Sequence, residues 1–297
     1  MIGRTAATRL AVAHASVWLI WGSTYYGVRV LVQTVPPFFS MGSRFLIAGI
    51  AVMVWLRVMR KEHPLTGEQW RVAAIGGLML VAAGNGAVAY TEQTVPSNLV
   101  ALTVALMPAW MVLFDRIING VVPPRSAMIA LAVGFGGVAV LMGPSNLGAG
   151  EIPVVGALTV TAGSMSWALG SILTRGQPRP RSVMLGTAAQ MIWGGVALIV
   201  LSGVVGEWSR LDASMINNET VTTWLYLVIA GSIIAYSAYV YLLHNTVPAK
   251  AGSYAFVNPI IAVIVGAGLG GEPLSPRVGI AAVMIVGAVA LIVRYRQ

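Results

Sequence analysis

Residues 94–114 read TVPSNLVALTVALMPAWMVLF, and residues 246–264 read TVPAKAGSYAFVNPIIAVI. Both open on Thr-Val-Pro. Pro108 lies twelve residues after Pro96, and Pro259 lies eleven after Pro248. Each run is apolar over most of a bilayer's thickness when wound as a helix. A proline inside such a helix has no N–H to give, so it frees the carbonyl four residues earlier, on Val104 and Ala255. In a membrane a freed carbonyl persists only where protein or water satisfies it.

The likeness extends outward on both sides. Each run leads to a turn with Pro and Arg: Pro123-Pro124-Arg125 in one, Pro273-Leu274-Ser275-Pro276-Arg277 in the other. A Gly-rich apolar run follows each, ending in related sequences from Gly137 and from Gly287. The offsets between equivalents stay at 150–152 residues. Upstream, Trp21-Gly22-Ser23 has a counterpart in Trp167-Ala168-Leu169-Gly170-Ser171. The chain is therefore read as an internal duplication, residues 1–147 and 148–297.

The remaining sequence divides between charge clusters and Pro/Gly turns into ten apolar runs of spanning length. They cover roughly 10–32, 37–57, 70–91, 96–117, 125–143, 153–174, 182–204, 221–244, 250–270 and 275–294. Hydrophobic residues make up 57% of the chain and charged residues only 9%, against about 25% charged in soluble domains. Those proportions exclude a soluble enzyme, a disordered chain and a coiled coil. The fold class is an all-α polytopic membrane protein with ten transmembrane helices. Five helices per half is an odd number, so the halves are expected as inverted repeats, the architecture of secondary transporters.

The net charge is +9. The basic residues are scattered in short loop clusters instead of forming a face, so no nucleic-acid partner is expected. With the N-terminus inside, 14 of the 18 Lys and Arg fall on cytoplasmic segments; Arg29, Arg44, Arg210 and Arg277 do not. Three acids lie inside (Glu62, Glu68, Asp115), and six lie at or near the outer side (Glu92, Glu151, Glu207, Asp212, Glu219, Glu272). That bias puts both termini in the cytoplasm.

The motifs of the chain resemble the EamA family of the drug/metabolite transporter superfamily. The resemblance runs through Trp21-Gly22-Ser23-Thr24-Tyr25, Pro36-Pro37-Phe38, Arg44-Phe45-Leu46-Ile47-Ala48-Gly49, Gly84-Asn85-Gly86, Glu92-Gln93 and Val95-Pro96-Ser97, and covers nearly the whole chain. It implies a ten-helix secondary transporter of the bacterial plasma (inner) membrane, with inverted five-helix repeats around a central cavity. It also implies export of small metabolites by alternating access. Amino acids, including aromatic and other hydrophobic ones, are the leading substrate class. Drugs, nucleosides or other metabolites are the alternative, with a channel or scaffold behind them.

Candidate cavity residues follow from helical spacing. His14, Trp18, Trp21 and Tyr25 recur at 4, 3 and 4, one face of a regular helix. Rings with N–H, OH and imidazole suit an amphiphilic solute, although Trp18 and Tyr25 also fit packing or a headgroup belt, and His14 fits cytoplasmic solvation. Asn85 is mid-span and needs a partner. Trp167 is the repeat mate of Trp21, Tyr236 and Tyr239 stripe span eight, and Asn258 precedes the span-nine proline. Arg44 sits about 10 Å inside the outer end of span two. It is read as a structural or gating partner of Glu92, as is Arg29, with a substrate carboxylate as the other role for Arg44. Pro108 and Pro259 are read as gating kinks or, alternatively, as packing features.

No enzyme chemistry is expected. The chain has no Cys, its three His (His14, His63, His244) are far apart, and no H-E-x-x-H or G-x-x-x-x-G-K-[ST] motif occurs. No metal or other cofactor is expected. The expected partners are a small-molecule substrate and the lipid bilayer, with the protein acting as a monomer.

Overall fold

The protein was analysed as a computed structural model that describes residues 4–123, 125–142, 153–175, 177, 178, 180, 182–246 and 254–295. The boundary at 147/148, Val247-Pro248, Glu151 and Lys250 lie outside the described residues. Among those described, the regular structure is helical, and it falls into ten spans.

Span one comprises Arg4–Ser16, a widened π-type turn Val17–Trp21, and Gly22–Leu31. Span two is Pro37–Val58. Span three runs Gly67–Gly76, a π-type stretch Gly77–Asn85, and Gly86–Thr91. Span four is broken into Ser97–Val104 and Met107–Asn119. Spans five, six and seven are Arg125–Met142, Val154–Thr174 and Val183–Val204. Span eight runs Asn218–Tyr226, a π-type stretch Leu227–Ala235, and Tyr236–Asn245. Spans nine and ten are Tyr254–Gly270 and Pro276–Tyr295.

Six of these helices are long and apolar enough to cross a membrane, and three shorter apolar stretches lie in spans five, nine and ten. The chain is an all-α polytopic membrane protein. Boundaries follow local chemistry. Pro37 begins span two at its first turn, where a missing N–H costs nothing. Thr66 and Gln69 form a reciprocal capping box at span three. Gly120, at φ +68°, turns the chain at the end of span four, where a side chain would strain the backbone.

Span two packs along span seven, and span five along span ten. Both contacts rely on small residues, which let helices approach without a water-driven hydrophobic force. A Cβ on Gly195 would lie 2.5 Å from the Leu46 backbone nitrogen, and one on Gly137 would lie 2.8 Å from Ile285 Cγ1. Spans five and ten form a pair at the edge, joined also by Arg277, whose Nε donates to the Val140 carbonyl at 2.7 Å.

The π-type stretches of spans three and eight, Gly77–Asn85 and Leu227–Ala235, are 150 residues apart at both ends. A π-type turn breaks the regular carbonyl ladder and leaves carbonyls for other donors. In span eight, Leu227 accepts from Arg44 Nε (3.1 Å) and Ser232 Oγ (3.2 Å), and Gly231 accepts from Trp21 Nε1 (3.0 Å). In span three, Leu80 accepts from Asn85 Nδ2 (3.2 Å) and Met79 from Ser166 Oγ (3.1 Å). Hydrogen bonds from span one and span two to span eight thus tie the first half to the second.

Candidate functional site

A cavity lies where spans one, two, three, four, six, eight and nine meet; its volume, including the part open to solvent, is about 820 Å³. Among the described residues, none of its lining comes from spans five, seven or ten. Its centre is aromatic. The Trp21 ring lies 6.2 Å from Trp167, 6.1 Å from Tyr236, 5.0 Å from Tyr239 and 5.2 Å from Tyr254, centroid to centroid. Such tilted and edge-on pairs are the favoured geometries for rings, and they hold each other's orientation. The Tyr236 hydroxyl donates to Gln190 Oε1 at 2.8 Å, which fixes that ring against span seven.

Three polar atoms in the lining are buried with no hydrogen-bond partner among the described residues. They are Trp167 Nε1, Ser164 Oγ and Asn258 Oδ1. Buried polar groups without partners are uncommon, because each forfeits its hydration. Three around one cavity mark a place where a solute or water supplies the missing bonds. Asn85 also lines the cavity, with its amide nitrogen on the Leu80 carbonyl.

The residues singled out by spacing divide accordingly. Trp21, Asn85, Trp167, Tyr236 and Asn258 line the cavity. Tyr239 is buried behind the lining against Trp21. His14 and Trp18 are away from it: His14 Nδ1 bonds the Leu10 carbonyl, and the two rings meet edge-on at 5.6 Å. The reason is the π-type turn Val17–Trp21, which begins after His14 and holds Trp18 near its start and Trp21 at its end. It fits an extra residue into one turn and shifts the phase. The 4-3-4 stripe assumed an unbroken 3.6-residue period, so its first two members rotate off the face that Trp21 and Tyr25 keep.

The expected ion pairs to Glu92 are also corrected. Arg44 gives Nε to Leu227 and to Ser232 Oγ (2.8 Å), its carbon Cζ sits 4.6 Å from the Phe45 ring centre, and no carboxylate oxygen lies within 4.0 Å among the described residues. Arg29 Nη1 donates to the main-chain carbonyls of Glu92 and Val95, not to the carboxylate. Both Glu92 carboxylate oxygens are buried without a hydrogen-bond partner among the described residues. The acceptors freed by the π-type turn of span eight captured Arg44 instead.

Pro108 follows a true break: the N–H groups of Ala109 and Trp110 both reach back to the Leu106 carbonyl, at 2.8 and 3.2 Å. Val104 and Met107, either side of that break, line the cavity. Pro259 lies within a continuous helix, beside Asn258. Ala255 is buried outside the lining.

Two carboxylates that the sequence showed only as outer-side acids are structural. Glu272, between spans nine and ten, accepts from the Ser97 N–H (2.7 Å), Ser97 Oγ (2.8 Å) and the Asn98 N–H (3.0 Å) at the start of span four. Glu207, after span seven, accepts from Phe38 and Phe39 N–H (3.2 and 2.8 Å) at the start of span two. Both helices have a proline at the N-cap position, Pro36 and Pro96, and so no side-chain cap of their own. A carboxylate at a helix N-terminus satisfies orphan donors and the helix dipole together.

A helical membrane protein with a polar-studded aromatic cavity between its spans is built to hold a solute within the bilayer. The EamA-like transporter family model matches the chain twice, over residues 11–143 and 154–294. The chain belongs to that family and is a membrane transporter of the drug/metabolite kind. The Escherichia coli protein named as an uncharacterized inner membrane transporter, YedA, is 38% identical over 278 residues, 93% of this chain and 88% of its own. Protein PecM of Dickeya dadantii is 24% identical over 286 residues, covering 94% of this chain and 92% of its own. A solved crystal structure aligns with TM-score 0.66 at 19% identity over 96% of both chains, a likeness of fold.

Proposed function

We propose that the protein is a monomeric secondary transporter of the bacterial inner membrane that exports small metabolites, amino acids with aromatic or other hydrophobic side chains foremost. The observation that carries this reading is the cavity itself: six aromatic side chains in its lining and three polar atoms without a partner among the described residues, around a single space. Rings supply apolar contact for a side chain, and the polar atoms supply orientation.

In this reading the two five-helix halves are inverted and rock against each other, so that the cavity faces one side of the membrane at a time. The repeat offset of 150 between the π-type stretches supports it. The charge bias supports a cytoplasmic position for both termini. On that orientation Glu207 and Glu272 close the outer end, since each carries a carboxylate of the second half onto a helix start of the first. The chain has no nucleotide-binding loop, so the driving force is a solute or ion gradient.

The test is counterflow. Purified protein in liposomes preloaded with one amino acid should take up the labelled form with saturation and trans-stimulation. The scan extends to amines, nucleosides and cationic drugs. Counterflow confined to one of those classes would replace amino acids as the substrate, and linear non-saturating flux would replace a transporter with a channel.

The prolines should set the balance between the two states. Pro108→Ala and Pro259→Ala restore a backbone donor at the kink, so helix stability should hold or rise. Cysteines placed on either side of the cavity, in a chain with none of its own, should change their relative accessibility. A tenfold change in the state ratio corresponds to about 1.4 kcal/mol. Unchanged accessibility and flux in both variants would make the prolines packing features.

A further inference from the structure

Arg44 is the one Lys, Arg, Asp or Glu residue in the cavity lining among the described residues. It is 3% exposed. Its Nε is committed to the Leu227 carbonyl and Ser232 Oγ, and Nη1 has only the Met41 sulfur at 3.6 Å. The structure gives Nη2 no protein acceptor among the described residues. Gly231 leaves the room that Nη2 occupies, since a Cβ there would stand 2.7 Å from it, and both residues line the cavity. A guanidinium has five N–H donors in a planar fork. A buried cation with unused donors, no paired carboxylate and an open space before it is costly until an anion arrives.

Across the same cavity lie the unpartnered Trp167 Nε1, a donor, and Asn258 Oδ1, an acceptor, with the faces of Trp21 and Tyr254 nearby. An ammonium group is attracted to ring faces and to an amide oxygen, and needs no protein carboxylate there. The lining has a place for one negative group and one N–H donor, but among the described residues it has no Asp or Glu for a compound that is only cationic.

We infer that Arg44 Nη2 binds the free carboxylate of the transported solute, and that Asn258 and the ring faces take its amino group. The site therefore selects α-amino acids over their amides, esters and decarboxylated amines. This rests on the transport reading above and names the chemistry that the same cavity recognises.

The experiment is counterflow in proteoliposomes with phenylalanine, phenylalaninamide, phenylalanine methyl ester and phenethylamine as competitors. Wild type should prefer the free acid by at least about tenfold, the scale of a desolvated charge-assisted hydrogen bond. Arg44→Lys should keep part of that preference and Arg44→Gln should erase it. Gly231→Ala pushes the guanidinium head aside while retaining the charge, and should reduce the preference with little loss of folded protein. A purely structural Arg44 would lower transport of acid and amide together and leave their ratio unchanged, which overturns the inference. Equal competition by acid and amide in wild type also overturns it, even if neither Arg44 variant folds. Absence of counterflow with every solute class would instead overturn the transport reading.

Discussion

Gly195→Val should yield almost no monodisperse protein after extraction in mild detergent. Spans two and seven approach so closely that a Cβ on Gly195 meets the Leu46 nitrogen at 2.5 Å and its Cα at 2.8 Å. Those are backbone atoms in the middle of a helix, which cannot swing aside as a side-chain tip does. Ordinary overpacking costs about 1–3 kcal/mol; here the two helices must separate along their contact, so the loss should exceed that range. Gly279→Ala is the matched control. Among the described residues nothing lies within 4 Å of the added methyl, and removing a helical glycine should stabilise by about 0.5–1 kcal/mol. Size-exclusion profiles of the two variants, expressed side by side, give the comparison. A normal profile for Gly195→Val would mean that this helix pair is not held as tightly as the structure has it.

Trp21→Ala should reduce counterflow by at least about tenfold, the kinetic equivalent of 1.4 kcal/mol. Its ring touches four other aromatic rings, and its Nε1 donates to the Gly231 carbonyl beside Arg44. Removing it empties the centre of the cavity and loosens the π-type stretch Leu227–Ala235 of span eight, which holds the guanidinium. Trp21→Phe keeps the ring and loses the donor, so it should fall between. Trp208 is 57% exposed in the loop after span seven, and Trp208→Ala should leave initial rates unchanged. Equal rates for Trp21→Ala and wild type would remove Trp21 from the binding site.

The number and limits of the spans were legible because each depends on local chemistry. Pro37 at a helix start, the Thr66 cap and the apolar length of each run act within a few residues. The observed limits depart from the sequence reading by a few residues; span one, for example, begins at Arg4 instead of near residue 10. The internal likeness pointed to Pro108, Trp21 and Trp167, all of which lie at or beside the cavity.

What failed was any inference needing a fixed period or a partner. The π-type turn at Val17–Trp21 shifts the helix phase, so a stripe that included His14 and Trp18 was drawn through a dislocation. Arg44 was matched to Glu92 because opposite charges attract, yet freed carbonyls in span eight lie closer and need donors. Glu207 and Glu272 looked like ordinary loop acids until the folded chain set them on helix starts more than 160 residues away. The sequence by itself determined a ten-span helical membrane protein with an internal repeat, because hydropathy and proline act locally. Only the tertiary structure decided which polar groups satisfy one another and which are left facing the cavity, because in a membrane that choice depends on what the neighbouring helix presents at hydrogen-bonding distance.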